Sequence, residues 1–280
     1  MTQKDIREYY EGCWKQKAQQ ATGHEQLEYS SPVEDAVIYP AYERLIADLG
    51  LRVQGGRVLD VGSGSGRWVR FFLDRYRPAF LMGVDCAQAS VDMLTRWCAD
   101  GDVPAEFRQA DITAPTLDLG EPFDLINVAN VLFHIPEQDL FLQALQNLAR
   151  LVSPGGRIVT TEYLPRTTMR TDWMLVRSRY EFEAAAAQAE LRIAEVRPSA
   201  FFSNDPMGID GPDPFVRGHF QRVRAGMRQI LEARLDDATR QFFTHFLADV
   251  ERACLAFCHE HVSPTEAPSQ KLVVLAPARC

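Results

Sequence analysis

The chain has 280 residues, 46% of them hydrophobic and 24% charged, enough to bury one α/β core with a smaller attached cap. A net charge of −8, without any block of Lys and Arg, sets the field against phosphate backbones, so no nucleic-acid partner is expected. No apolar run approaches the ~20 residues needed to span a bilayer, the opening Met1–Ile6 lacks a signal-peptide core, and six scattered cysteines do not resemble a disulfide framework; a cytoplasmic chain with reduced thiols and no membrane partner is the expectation.

Residues 1–50 read as an N-terminal helical lid segment with an aromatic cluster of Tyr9, Tyr10, Trp14, Tyr39 and Tyr42. A core over 51–202 follows, in which short apolar runs alternate with amphipathic stretches. Arg57–Val61 reads as a strand, Gly66–Arg77 as a helix, Phe80–Val84 as a strand, Gln88–Ala99 as a helix and Ala105–Gln109 as a short strand. Phe123–Ala129 reads as a buried strand and Gln138–Val152 as a helix with its apolar stripe at spacings of three and four. Ser153-Pro154-Gly155-Gly156 reads as a turn, because Pro fixes φ and Gly supplies φ > 0, and Arg157–Glu162 as the next strand. This alternation demands a parallel sheet with helices on both faces. Residues 203–268 interrupt the sheet between a strand near Leu191–Ala200 and a last strand at Lys271–Ala276, within a closing segment 269–280. The insert opens on a Pro/Gly/Asp loop and continues in two amphipathic helices, striped by Phe220, Val223, Met227, Ile230 and Leu231 and by Phe246, Val250, Ala253, Cys254 and Phe257. Such stripes need a partner surface, which a substrate pocket, a homodimer or the core itself would supply.

The chemistry concentrates where the first strand, Val58-Leu59-Asp60-Val61, empties into Gly62-Ser63-Gly64-Ser65-Gly66 just before a helix. Glycines are needed where backbone turns sharply and approaches a ligand, and the carboxyl end of a strand is where doubly wound sheets bind ligands. The spacing is G-x-G-x-G, not G-x-G-x-x-G, and Arg67 stands after Gly66. A carboxylate two residues before the loop would repel a pyrophosphate but welcome an ammonium. Asp85 ends the second strand, placed to accept both ribose hydroxyl protons, and Asp111 ends the third, placed to accept from an adenine amino group. A loop with three acids at three successive strand ends is a far more specific signal than the loop alone.

These residues, with Gly83-Val84-Asp85, Ala110-Asp111-Ile112, the run Phe123–Ile135 and Leu151-Val152-Ser153-Pro154-Gly155-Gly156, resemble the class I S-adenosylmethionine (SAM)-dependent methyltransferases over roughly residues 56–164. The resemblance implies a Rossmann-like, mostly parallel seven-stranded sheet with helices on both faces and a reversed last strand. It implies SAM as cofactor: Asp60, Gly62, Gly64 and Gly66 around its methionine part, Asp85 on the ribose, Asp111 and Ile112 on the adenine, and the backbone carbonyl at about Val128 receiving the ammonium. The activity implied is methyl transfer; the insert at 203–268 and the net negative charge point to a small-molecule acceptor, such as a sugar hydroxyl or secondary metabolite, because caps often enclose such acceptors. A SAM-binding protein of the same fold that regulates, or uses SAM otherwise, is the alternative.

Methyl transfer from a sulfonium is an in-line displacement that the protein mainly positions, and a base is needed only when the acceptor must lose a proton. His134, just past the fourth strand, is the candidate base or orienting donor; Glu162 and Tyr163 at the end of the fifth are candidate acceptor contacts. Tyr9, Tyr10 and Trp14 are candidates to close over a sulfonium. Asp205, Asp210 and Asp213 do not match a calcium loop, and Cys254, Cys258 and His261, although they share a helical face, carry no further metal signature; no metal is expected.

Overall fold

The computed structural model describes residues 2–20, 32–170, 174–201, 214–263 and 269–278. The N-terminal segment contains helices α1 (Gln3–Gln20) and α2 (Pro32–Leu49). The alternating core follows as β1 (Arg57–Val61), α3 (Arg67–Arg75), β2 (Phe80–Asp85), α4 (Gln88–Trp97), β3 (Ala105–Gln109) and β4 (Phe123–Val128). A 3-10 turn at Leu132–His134 leads to α5 (Gln138–Leu151), β5 (Val152–Glu162), the short strands β6 (Met169–Arg170) and β7 (Leu175–Val176), α6 (Arg179–Gln188) and β8 (Leu191–Ala200). The insert supplies α7 (Pro214–Glu232) and α8 (Asp237–His261), and β9 (Gln270–Pro277) closes the sheet.

The seven strands run in the order β3-β2-β1-β4-β5-β9-β8. All neighbours from β3 to β5 are parallel, whereas β9 is antiparallel to both β5 and β8. This is the Rossmann-like sheet with its reversed last strand. The central strands are apolar without alternation because both sheet faces are covered. On one face Leu59, Val61, Met82, Val84 and Ile126 meet Phe141, Leu145 and Leu148 of α5 and Phe182 of α6. On the other, Val58, Leu81, Leu125 and Val159 meet Tyr42, Trp68, Phe71 and Phe72. Each such large side chain, fully buried, contributes about 1.5–3 kcal/mol of transfer free energy.

Several local expectations shift. Ser153–Gly156 lies inside β5 and is accommodated as a bulge: pairing with β4 jumps from Phe123↔Val152 to Leu125↔Arg157. The N-terminal aromatics divide, because Tyr39 and Tyr42 pack with Trp68 and Phe71 in the core while Tyr10 and Trp14 lie over the sheet's carboxyl edge. On α8 the buried face is Leu247, Ala248, Glu251 and Cys258; Phe246 and Phe257 of the expected stripe are exposed. Glu251 instead accepts the backbone N–H of Phe201 at 2.8 Å, tying α8 to the end of β8. The Asp205, Asp210 and Asp213 loop, and Cys280, lie outside the described residues. Among the described residues no helix is long and apolar enough to cross a membrane.

Candidate functional site

The carboxyl ends of β1, β2 and β4 carry the glycine loop and its acids. Gly62, Gly64 and Gly66 have φ of 71°, 49° and 82°, values that strain any residue with a Cβ. A Cβ on Gly64 would stand 2.7 Å from Cζ2 of Trp14, so the α1 indole rests directly on the loop. Arg67 opens α3, a place where the helix dipole disfavours a cation. Glu34 of α2 (3.0 Å) and Asp35 (2.5 Å) offset this by pairing with its nearly buried guanidinium.

Asp60 is 1% exposed. Its Oδ1 accepts from Asn127 Nδ2 at 2.7 Å, and Asn127 Oδ1 in turn accepts from the buried Tyr42 hydroxyl at 3.0 Å. Its Oδ2 is buried and has no partner. Burial pushes the Asp60 carboxyl up to about 7 against the lowering hydrogen bonds, with nearby Asp85 adding to the rise. Asp85 is also buried: Oδ2 accepts the Gly64 N–H at 2.8 Å and Oδ1 the Ala87 N–H at 2.9 Å. Its pKa is raised by burial, opposed by those two N–H bonds and raised further by Glu11 of α1. Buried acceptors outnumber donors here, which suits a ligand carrying an ammonium and hydroxyl donors and does not suit a phosphate.

Asp111 follows β3. Thr113 donates to its Oδ1 from both backbone (2.9 Å) and hydroxyl (2.8 Å), and Arg7 of α1 pairs with Oδ2. Ile112 is buried in the core beside it, its carbonyl accepting from Asn147 at 2.6 Å. Val128 is fully buried, and its carbonyl lies 2.9 Å from Thr160 Oγ1. The same hydroxyl lies 3.0 Å from Glu162 Oε1. A hydroxyl has one proton to give, so Thr160 donates to the Val128 carbonyl or to the Glu162 carboxyl, one at a time. Burial pushes the Glu162 carboxyl up to about 8, against the Thr160 bond and the Arg177 charge.

His134 sits on the 3-10 turn with Nε2 2.9 Å from the Tyr10 hydroxyl, the two rings meeting edge to face. Phe133 packs 5.8 Å from Tyr163, which with Met174 and Val176 forms a small apolar cluster beside it. The structure therefore brings Asp60, the three glycines, Asp85, Asp111, Val128 and His134 to one edge of the sheet. Asn127 and Tyr42, which the sequence places only in a buried strand and an aromatic cluster, complete the Asp60 environment; the signal for Asn127 was a lone amide inside an otherwise apolar buried strand. Arg7 and Glu11 were also missed, since charged residues on a polar helix leave no periodic trace. Among the described residues no group of His, Cys, Asp and Glu could hold a metal: Cys258 packs on Phe201, while His261 stacks on Phe257 at 4.6 Å.

Residues 58–156 match a family model described as a methyltransferase domain. A ubiquinone biosynthesis O-methyltransferase of Pseudomonas fluorescens is 29% identical over 111 residues, which cover 40% of this chain and 46% of that protein. The chain thus spans about half the length of this curated relative. In fold it is similar to a SAM-dependent methyltransferase of Leishmania major, with a TM-score of 0.51 at 19% identity over 60% of this chain and 66% of that one. It is also similar to a Galdieria sulphuraria protein described as a candidate sarcosine dimethylglycine methyltransferase, with a TM-score of 0.52 at 13% identity over 85% and 83%.

Proposed function

We propose, from the premise that residues 58–156 belong to the class I SAM-dependent methyltransferase family, that this chain binds SAM over its glycine loop and transfers the methyl group to a small-molecule acceptor. The observation that carries the reading is the unpartnered, buried Oδ2 of Asp60 at the foot of three left-handed glycines, next to a second buried acid, Asp85. An acceptor-rich hollow of this kind calls for a ligand that brings donors and positive charge. SAM brings both, and when bound supplies a methyl group on a sulfonium, ready for in-line displacement.

The chain's residues then have distinct tasks. Asp60 faces the ammonium with the Val128 carbonyl; Asp85 accepts from the ribose; Asp111 and Ile112 border the adenine, Asp111 being shared with Arg7. His134 is the candidate base or orienting donor. A hydroxyl already stands 2.9 Å from its Nε2 in the form of Tyr10, and an acceptor hydroxyl entering that position would replace it. Phe133, Tyr163 and Met174 offer it an apolar wall, which supports a small acceptor such as a sugar or secondary metabolite, with oxygen as the methylated atom. In this reading α1 is a lid, and the insert 203–268 caps the acceptor. The exposed Phe242 and Phe246, stacked on each other, and Phe257 offer a homodimer face.

Calorimetric titration with SAM and S-adenosylhomocysteine, followed by labelled-methyl transfer to panels of small hydroxyl acceptors, RNA and protein, tests the reading. Binding of both with label entering a small acceptor is expected. Label in RNA or protein would overturn the acceptor class, and binding without any transfer would favour a regulatory SAM-binding protein. Sedimentation at two concentrations tests the dimer.

A further inference from the structure

One face of α1 is spent on this site. Arg7, Tyr10, Glu11 and Trp14 follow the i, i+3, i+4, i+7 spacing of a single helical stripe. Three of them meet Asp111, His134 and Gly64 through an ion pair, a hydrogen bond and an aromatic ring on a glycine. Glu11, held between Tyr10 and Trp14 on the same stripe, turns a negative charge toward Asp85, whose Oδ2 holds the Gly64 N–H. Glu11 places one oxygen on Lys15 at 3.0 Å, while its other, Oε2, is buried without a partner. Asp85 feels its charge, and Asp60, in turn affected by Asp85, carries the second unpartnered buried oxygen. A helix already pinned at its start by the Thr2–Asp5 capping bonds, and farther along by Trp14, has no structural use for a buried, unpartnered carboxylate oxygen between them. A ligand that brings hydrogen-bond donors between the two carboxylates would convert the repulsion into a bridge.

We propose that Glu11 is a cofactor-binding residue, accepting a hydrogen bond from a ribose hydroxyl of SAM opposite Asp85, so that α1 is completed as a lid only by the nucleoside. The inference rests on the SAM-binding reading. Asp85, with both oxygens already holding backbone N–H groups, keeps limited capacity for a vicinal diol, and Glu11 supplies the second acceptor from the opposite side. The buried, unpartnered Oε2 of Glu11 makes this hydrogen bond a charge-assisted one.

The test is calorimetric titration of the whole chain, wild type, Glu11→Gln and Lys15→Met, with S-adenosylhomocysteine and with its 2′,3′-dideoxy analogue, beside thermal melting without ligand. If wild type fails to bind S-adenosylhomocysteine, the function reading itself falls. Given wild-type binding, Glu11→Gln should weaken S-adenosylhomocysteine roughly ten- to hundredfold and the dideoxy analogue hardly at all. Its ligand-free melting temperature should equal or exceed that of wild type, because the repulsion with Asp85 is gone. Lys15→Met, which removes only the exposed ammonium paired with the other Glu11 oxygen, Oε1, should change affinity less than about twofold. Unchanged affinity in Glu11→Gln, equal losses for both ligands, or a lower ligand-free melting temperature would overturn the proposal.

Discussion

Asp60 should make cofactor binding proton-linked. Its carboxyl rises from an ordinary 3.8 to about 7 through burial, which amounts to about 4 kcal/mol in favour of the neutral acid in the ligand-free protein. A ligand ammonium beside Oδ2 reverses that preference, so below about pH 7 binding must expel one proton. Titration with S-adenosylhomocysteine at about half-unit steps between about pH 5.5 and 8 should then show affinity rising about tenfold per pH unit, levelling off above about 7. Repeating the titration at about pH 6 in buffers of different ionisation enthalpy should report release of about one proton. Asp60→Asn, which keeps the oxygen that accepts from Asn127, should bind weakly with a flat profile. The ligand-free protein carries the complementary sign. The unfolded acid ionises near 3.8 and the folded one only near 7, so stability from the neutral form is lost as pH rises through that window, and the Asn variant should lose less. A flat wild-type affinity profile, or the same slope in Asp60→Asn, would refute the assignment.

Glu162→Gln should remove a second pH-dependent loss of stability: burial holds the Glu162 acid neutral up to about 8, so wild type should melt at falling temperatures as pH rises from about 4.5 to about 8, while the variant falls less and keeps only the Asp60 contribution, which ends near 7. Gly64→Ala places a Cβ at φ 49° and 2.7 Å from the Trp14 ring, and should cost about 1–3 kcal/mol in denaturant unfolding while speeding amide exchange in α1; unchanged exchange there would mean that Trp14 does not rest on the loop. Once an acceptor is in hand, His134→Gln should lower kcat by roughly a hundredfold if the acceptor gives up a proton to His134, leaving the S-adenosylhomocysteine Kd unchanged; a change in Kd alone would make His134 a packing residue.

The alternating core was legible because its signals are local. Strand, glycine loop and helix follow one another within Arg57–Arg75, and each acid lies at or just beyond a strand end. The reversed β9 came through resemblance, since nothing in Gln270–Pro277 states its direction. The α8 face was misjudged by about one residue, near 100° of rotation: phenylalanines at 246 and 257 suggested burial, but Ala248 and Glu251 are what the close approach to α2 and β8 admits. Residues 165–190 were unreadable for a different reason. Strands of two residues, such as β6 and β7, leave no period, and α6, with four consecutive alanines, has only a faint apolar face. The stripe on α1 is hidden because its meaning lies in partners far away in the chain.

The pairing of β8 with β9 has a consequence for how such a chain can change. The pairing runs from Leu191↔Pro277 to Ala200↔Gln270 with register shifts after Ile193 and after Pro198, and Glu251 clamps the exit at Phe201. Everything between those anchors is an excursion that leaves and re-enters the sheet at one corner. A segment exchanged there would leave strand order intact but would have to keep the face that packs on Val33 and Val37 of α2, since α2 holds Arg67 beside the glycine loop through Glu34 and Asp35.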